Sequence, residues 1–127
     1  MTCQVLIVDD SFILRSAIKK VVKMAGIAPE AIYEAGNGQE ALEQLDQHPI
    51  DVVLLDINMP VMNGEEFLEA CKAMPNPPEC LVLIVSTESN EKRLLKMRLL
   101  GADSVLRKPF EPEELAHILN TKLGVKL

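Results

Sequence analysis

Residues 50–56 read Ile-Asp-Val-Val-Leu-Leu-Asp, and this stretch decides how the chain folds. From Ile50 to Leu55 the run is short, rich in β-branched residues and apolar at four consecutive positions after Asp51. A strand with one wet face would alternate, so this pattern predicts a strand covered on both faces, as in a parallel sheet flanked by helices. The same grammar recurs on either side. Gln4 to Val8 (QVLIV) is an apolar run halted by Asp9-Asp10, and Leu81 to Val85 (LVLIV) is one halted by Ser86-Thr87. Ala31-Ile32-Tyr33 and Ser104-Val105-Leu106 supply two shorter strands, the second followed by Arg107-Lys108-Pro109.

Helical patterns fill the intervals. Ser11 is placed to cap a helix whose apolar residues Ile13, Leu14, Ala17, Ile18, Val21 and Val22 recur at helical spacing, with Gly26 closing it. A second helix follows Gly36-Asn37-Gly38 and carries Ala41, Leu42 and Leu45; a third follows Asn63-Gly64 and carries Phe67, Leu68 and Cys71 until Pro75, Pro77 and Pro78 stop it. The fourth runs from about Asn90 to Leu100, and the fifth starts near Glu111, with Pro112 in its first turn and Glu113-Glu114 suited to its dipole. Strand and helix thus alternate five times. Right-handed crossovers turn that order into an α/β fold, (βα)5, with a doubly wound parallel five-stranded sheet as the middle of three layers.

Composition narrows the function classes. With 127 residues the expectation is a single domain, residues 1–127, with no output domain after the last helix. A 48% hydrophobic, 25% charged chain can bury a core. A net charge of −6 and only four aromatic residues suit the chain poorly to binding nucleic acid directly. No apolar run reaches a membrane span and no charged signal-peptide head precedes the first strand, so we expect a cytoplasmic protein without membrane insertion. Cys3, Cys71 and Cys80 have no metal or disulfide spacing and read as reduced thiols packed as small apolar residues.

In a doubly wound sheet, ligands bind beyond the carboxyl ends of the strands. Those ends carry Asp9-Asp10, Asp56, Ser86-Thr87 and Lys108. Each alone could simply end a strand, but together they set three carboxylates, a hydroxyl and an ammonium on one edge. Clustered carboxylates that stay ionised at neutral pH repel one another, and a hard divalent cation such as Mg2+ relieves the repulsion while accepting a phosphate oxygen. A carboxylate there can attack phosphorus while cations neutralise the phosphoryl oxygens. The edge reads as a phosphoryl-accepting site. A flavin carrier fits poorly, because Asp9-Asp10 would repel the cofactor phosphate. A small Mg2+-dependent phosphatase using Asp56 as nucleophile would want an acid two residues later, where Asn58 cannot shuttle a proton.

Asp9-Asp10, the run LLDINMPVMNG from Leu54 to Gly64, Ser86-Thr87 and Lys108-Pro109-Phe110 resemble the signature of two-component response-regulator receiver domains. Among these the chain is most similar to stand-alone chemotaxis regulators of the CheY type, over essentially its whole length. The resemblance implies the flavodoxin-like strand order 2-1-3-4-5, which the βα repeat alone leaves open. It also implies phosphorylation of Asp56 by a histidine kinase. Mg2+ would be held by Asp10, Asp56 and the Asn58 backbone carbonyl, and by Asp9 through water. Ser86 would be the switch hydroxyl with Thr87 its neighbour, and Lys108 would contact the phosphoryl group. The Lys108-Pro109 bond would be cis, and Met59-Pro60 and Gly64 would shape the loop after the site. A receiver of this kind is a signalling switch rather than an enzyme acting on external substrates. It would serve chemotaxis and motility control, with a non-chemotactic phosphorelay as the alternative.

Two further expectations concern timing and output. Asn58 and Glu88 stand two positions beyond Asp56 and Ser86, the pair found in fast-resetting chemotaxis regulators, and so imply a role in dephosphorylation and a short-lived phosphorylated form. The stretch Glu88 to Lys108 holds three acids against six bases (Lys92, Arg93, Lys96, Arg98, Arg107 and Lys108) within an acidic protein. Leu94, Leu95, Met97, Leu99 and Leu100 exceed the stripe that core packing needs, so some should stay exposed. Leu94, Arg98 and Val105 therefore mark the expected partner surface, on the helix at 90–100 and the strand at 104–106. Val105 stands where those regulators usually carry an aromatic switch residue.

Overall fold

The structure, a computed structural model, describes residues 3–127. Five strands, β1 (Val5–Val8), β2 (Ile32–Ala35), β3 (Val52–Leu55), β4 (Leu81–Ser86) and β5 (Ser104–Arg107), form one sheet in the order β2-β1-β3-β4-β5. Every pairing is parallel. The helices are α1 (Phe12–Met24), α2 (Gly38–Gln47), α3 (Gly64–Ala73), α4 (Glu91–Leu99) and α5 (Pro112–Leu123). This is the flavodoxin-like three-layer arrangement.

Alternate residues of the fully buried strands β1, β3 and β4 feed two separate cores. Val5, Ile7, Val52, Leu54, Leu83 and Val85 pack with Ile18 and Val22 of α1 and Leu115 and Leu119 of α5. Leu6, Val8, Val53, Leu55, Val82 and Ile84 pack with Ala41 of α2, Phe67 and Leu68 of α3 and Met97 of α4. Continuous apolar runs are therefore what both faces of the sheet require.

Boundaries shift where a side chain or proline intervenes. Pro29–Ala31 form a 3-10 turn, so β2 starts at Ile32 rather than Ala31. At the head of β3 the Asp51 carboxylate accepts from the Gln4 N–H at 2.8 Å, and regular strand begins only at Val52. The expected apolar stripe of α1 is also corrected: Ile18 and Val22 are buried, but Ile13 and Leu14 are 78% and 44% exposed and Ala17 is exposed. The reason is position. The first turns of α1 overhang the carboxyl edge of the sheet, where no strand lies beneath them.

Ser11 caps α1, accepting from the Leu14 N–H, and Asn37, Asn63 and Asn90 cap α2, α3 and α4 in the same way. At α3 the Glu66 side chain also accepts from the Asn63 N–H, completing a capping box. Asn63→Ala is expected to cost about 1 kcal/mol, the usual loss for such a cap, read as a lower denaturant midpoint at unchanged slope.

Candidate functional site

The sheet itself aligns the site. The Asp9 N–H donates to the Ala35 carbonyl at 3.1 Å, the Asp56 N–H to the Val8 carbonyl at 2.9 Å and the Lys108 N–H to the Ser86 carbonyl at 3.2 Å. Each functional residue thus sits one step past its strand and is still gripped by the neighbouring strand. The carboxylates of Asp9, Asp10 and Asp56 offer oxygens that all lie within 4.8 Å of one another. Lys108 reaches over them, its Nζ donating to Asp9 Oδ2 at 3.1 Å and standing 3.9 Å from Asp56 Oδ1. The Lys108-Pro109 peptide is cis.

Burial differs along the triad. Asp9 is wholly buried and satisfied on both oxygens, since Oδ1 accepts from the Ser11 N–H at 2.9 Å. Asp10 is exposed and Asp56 is half-buried between them. Burial pushes the Asp56 carboxyl above the usual carboxylate value; Lys108 opposes that shift, Asp9 and Asp10 add to it, and the Ile57 N–H, donating at 2.9 Å, offsets part. All the donors are hard oxygens, the set that suits Mg2+ rather than a softer metal.

Asp56, Asn58, Ser86, Thr87 and Lys108 line one cleft of about 440 Å³, whose other wall is Leu14, Ala17 and Val21 of α1 with Pro109 and Phe110. The expected site residues are brought together, and Leu14 and Ala17 of α1, which miss the core, form part of the cleft's side. Ser86 is buried, and its Oγ accepts from the Glu88 N–H at 3.0 Å; Thr87 is exposed beside it. In the loop after Asp56, Val61 adopts φ +67°, a left-handed conformation costly for a β-branched residue, and the Met62 N–H closes the turn on the Pro60 carbonyl at 2.7 Å.

Arg93 is the residue that sequence reasoning missed, beyond counting it among the bases of α4. Its Nη2 donates to Asn58 Oδ1 at 2.8 Å and its Nη1 to Glu88 Oε2 at 3.2 Å, while Nε lies 3.6 Å from Glu65 Oε1. Away from the cleft, Leu94, Arg98 and Val105 line a groove with Glu91, Leu95 and Ser104, and Leu95 and Leu99 are 58% and 71% exposed, as the excess of leucines implied. Cys3, Cys71 and Cys80 are unpaired, and burial pushes each thiol up to about 11, leaving them protonated at neutral pH. His48 stacks on Tyr33 with ring centroids 4.2 Å apart. Among the described residues no helix is long and apolar enough to cross a membrane.

Comparison with known proteins agrees with this fold. The chemotaxis protein CheY of Thermotoga maritima is 32% identical over 117 residues, covering 92% of this chain and 94% of that protein. The nitrate/nitrite response regulator NarL of Escherichia coli strain K12 is 33% identical over 118 residues, 91% of this chain but 52% of that protein. Among solved structures, the chemotaxis protein CheY4 of Vibrio cholerae superposes with a TM-score of 0.81 at 32% identity, covering 95% of this chain and 98% of that one. The family model for the response regulator receiver domain matches residues 5–120, which with the strand-end carboxylates and lysine places the chain in the response regulator receiver domain family.

Proposed function

We propose that this receiver takes a phosphoryl group from a histidine kinase onto Asp56, with Mg2+, and signals by changing what it binds. The observation that supports this most directly is the meeting of three carboxylates from two strand ends with Lys108 from a third, the ammonium 3.1 Å from Asp9 and 3.9 Å from Asp56. One Asp56 oxygen accepts from the Ile57 N–H, and the second is the nucleophile. It bonds to phosphorus as the phosphorus–nitrogen bond of the donor phosphohistidine breaks, and the donor imidazole leaves.

Asp10, Asp56 and the Asn58 carbonyl would hold Mg2+, with Asp9 reached through water; the ion supplies charge neutralisation for the phosphoryl oxygens. Lys108 neutralises a further phosphoryl oxygen, and Ser86 closes on the group by turning its hydroxyl from the Glu88 N–H toward it. The acyl phosphate favours the conformation in which Ser86 and Lys108 engage it, and output follows from the shift in population. The donor approaches across the first turn of α1, where Leu14 lines the cleft and Phe12 and Ile13 are exposed. The target docks on the groove that contains Leu94, Arg98 and Val105.

We assign the protein to the cytoplasm and to chemotaxis, the role carried in the name of the Thermotoga relative that the chain matches over 94% of its length. A phosphorelay outside chemotaxis is the second reading, favoured by Val105 where an aromatic switch residue is usual. Acetyl phosphate with Mg2+ tests the first step. A switch gives a stoichiometric, acid-stable and base-labile adduct on Asp56, whereas a phosphatase turns over external monoesters many times. Transfer profiling against histidine kinases then decides the pathway, with preferential transfer from a chemotaxis kinase expected.

A further inference from the structure

Arg93 ties together the two side chains that flank the proposed phosphorylation site. Asn58 lies two residues past Asp56 and lines its cleft, and Glu88 lies two residues past Ser86. The side-chain oxygen of Asn58 accepts from Arg93 Nη2 at 2.8 Å. Glu88 accepts from Arg93 Nη1 at 3.2 Å with one oxygen and from the Asn90 N–H at 3.0 Å with the other. Asn58 Oδ1 and one Glu88 oxygen are therefore turned toward Arg93, and the other Glu88 oxygen toward the Asn90 N–H. Only a guanidinium has the fork to do this, since an ammonium lacks donors in that fixed plane. The guanidinium has a third neighbour: Arg93 Nε faces Glu65 Oε1 at 3.6 Å, and Lys96 pairs with the other Glu65 oxygen at 3.2 Å.

The chemical consequence follows from what hydrolysis needs. A water must lie in line with the bond between phosphorus and the Asp56 oxygen. Its oxygen bonds to phosphorus as that bond breaks, Asp56 leaves as carboxylate, and the water's proton passes to an acceptor or to the departing inorganic phosphate. A water is oriented by donating to an acceptor, and Arg93 draws toward itself two acceptors of the side chains two residues past Asp56 and Ser86, Asn58 Oδ1 and Glu88 Oε2.

We propose that Arg93 is a positioning residue that prolongs the phosphorylated state by holding Asn58 and Glu88 away from the attacking water. The proposal rests on the reading of Asp56 as phospho-acceptor. It makes the signal longer-lived than the Asn58–Glu88 pair alone would set. Residue 93 then acts on the clock without touching phosphorus, and a target that draws Arg93 away from Asn58 would shorten the signal.

The test is the first-order loss of label from purified protein phosphorylated by acetyl phosphate, followed in Mg2+ after removal of the donor. Arg93→Met should speed decay about tenfold, the size expected when an acceptor bound to a charged donor is released to the reacting water. Arg93→Lys, which can hold Glu88 or Asn58 but not both, should fall between wild type and Arg93→Met. Glu65→Gln removes the charge of the third neighbour while leaving both acceptors engaged, and should decay at the wild-type rate. In an Arg93→Met variant that also carries Asn58→Ala and Glu88→Ala the acceleration should disappear, which a general loosening of α4 would not produce. An unchanged or slower decay in Arg93→Met overturns the proposal, as does equal acceleration by Glu65→Gln. Absence of any adduct in wild-type protein overturns the phospho-acceptor reading and this inference with it. A normal adduct with unaltered decay overturns the inference alone.

Discussion

Asp56→Asn should lose the base-labile adduct down to background while the folded protein becomes more stable in chelator. The first half follows from chemistry, because an amide at this position is nearly isosteric with the carboxylate but is no nucleophile. Lys108 keeps its closer partner, Asp9 at 3.1 Å, so the substitution leaves no buried ammonium unpaired. The second half follows from electrostatics. Burial raises the Asp56 pKa, and Asp9 and Asp10 add to what Lys108 and the Ile57 N–H only partly offset. A folded-state value above the unfolded one means the native protein holds that proton more tightly. The stability Asp56 contributes is then greatest at acid pH and falls as pH rises from the ordinary value of 3.8 through the raised one. At neutral pH the ionised carboxylate is therefore a net cost, which the amide removes.

Thermal unfolding in chelator across that pH window should accordingly show a decline for wild type that is smaller for Asp56→Asn. Adding Mg2+ should narrow the gap at neutral pH, because an ion that binds only the native carboxylates stabilises wild type by mass action. Wild-type stoichiometry of label on Asp56→Asn would move the phospho-acceptor elsewhere. A stability loss in chelator would mean that the Lys108 contact outweighs burial.

What could be read from the residues divides along a physical line. Val52 to Leu55 and Leu81 to Val85 announce themselves because burial on both faces leaves a continuous apolar record in the chain. Asp9, Asp10, Asp56, Ser86 and Lys108 could be collected before any coordinates, since parallel strands send all their carboxyl ends to one edge. The order β2-β1-β3-β4-β5 came only from family resemblance, because a βα repeat does not say on which side of β1 the chain turns. Helical spacing marks Ile13, Leu14 and Ala17 as a face but carries no measure of how far α1 projects past the sheet. The caps at Asn37 and Asn63 did leave a signal, an acceptor followed three residues later by Glu40 and Glu66.

Arg93 left none. Its reach to Asn58 spans 35 residues through a flexible side chain, a contact no periodicity encodes. Val61 is illegible for the opposite reason: a β-branched residue argues against the φ of +67° that the closed loop imposes on it.

Gly64→Ala is the second substitution expected to act strongly, and it does so without touching a polar group. Gly64 is buried at the first position of α3, its N–H donating to the Ile57 carbonyl at 2.9 Å. A methyl group there would sit 2.7 Å from the Asp56 carbonyl oxygen and 3.0 Å from Ile57 Cα, both backbone atoms, with Met97 Cε at 3.3 Å. No rotamer can relieve the first two contacts, so α3 and the segment carrying Asp56 to Asn58 must part. Overpacking of this kind typically costs about 1–3 kcal/mol. The displaced backbone is also the one that aims the Asp56 carboxylate and the Asn58 carbonyl, so the adduct should form more slowly in protein that is still folded. Gly101→Ala separates the two effects. Gly101 has φ +119° and nothing within 4 Å of its would-be Cβ, and it precedes the amino end of β5, across the sheet from the site. Its substitution strains only the backbone and should lower the denaturant midpoint without slowing the adduct. If both alanine variants slow phosphorylation in proportion to their stability loss, Gly64 serves the fold alone; a slowing confined to Gly64→Ala shows that close approach of α3 to the β3 carboxyl end sets the geometry of Asp56.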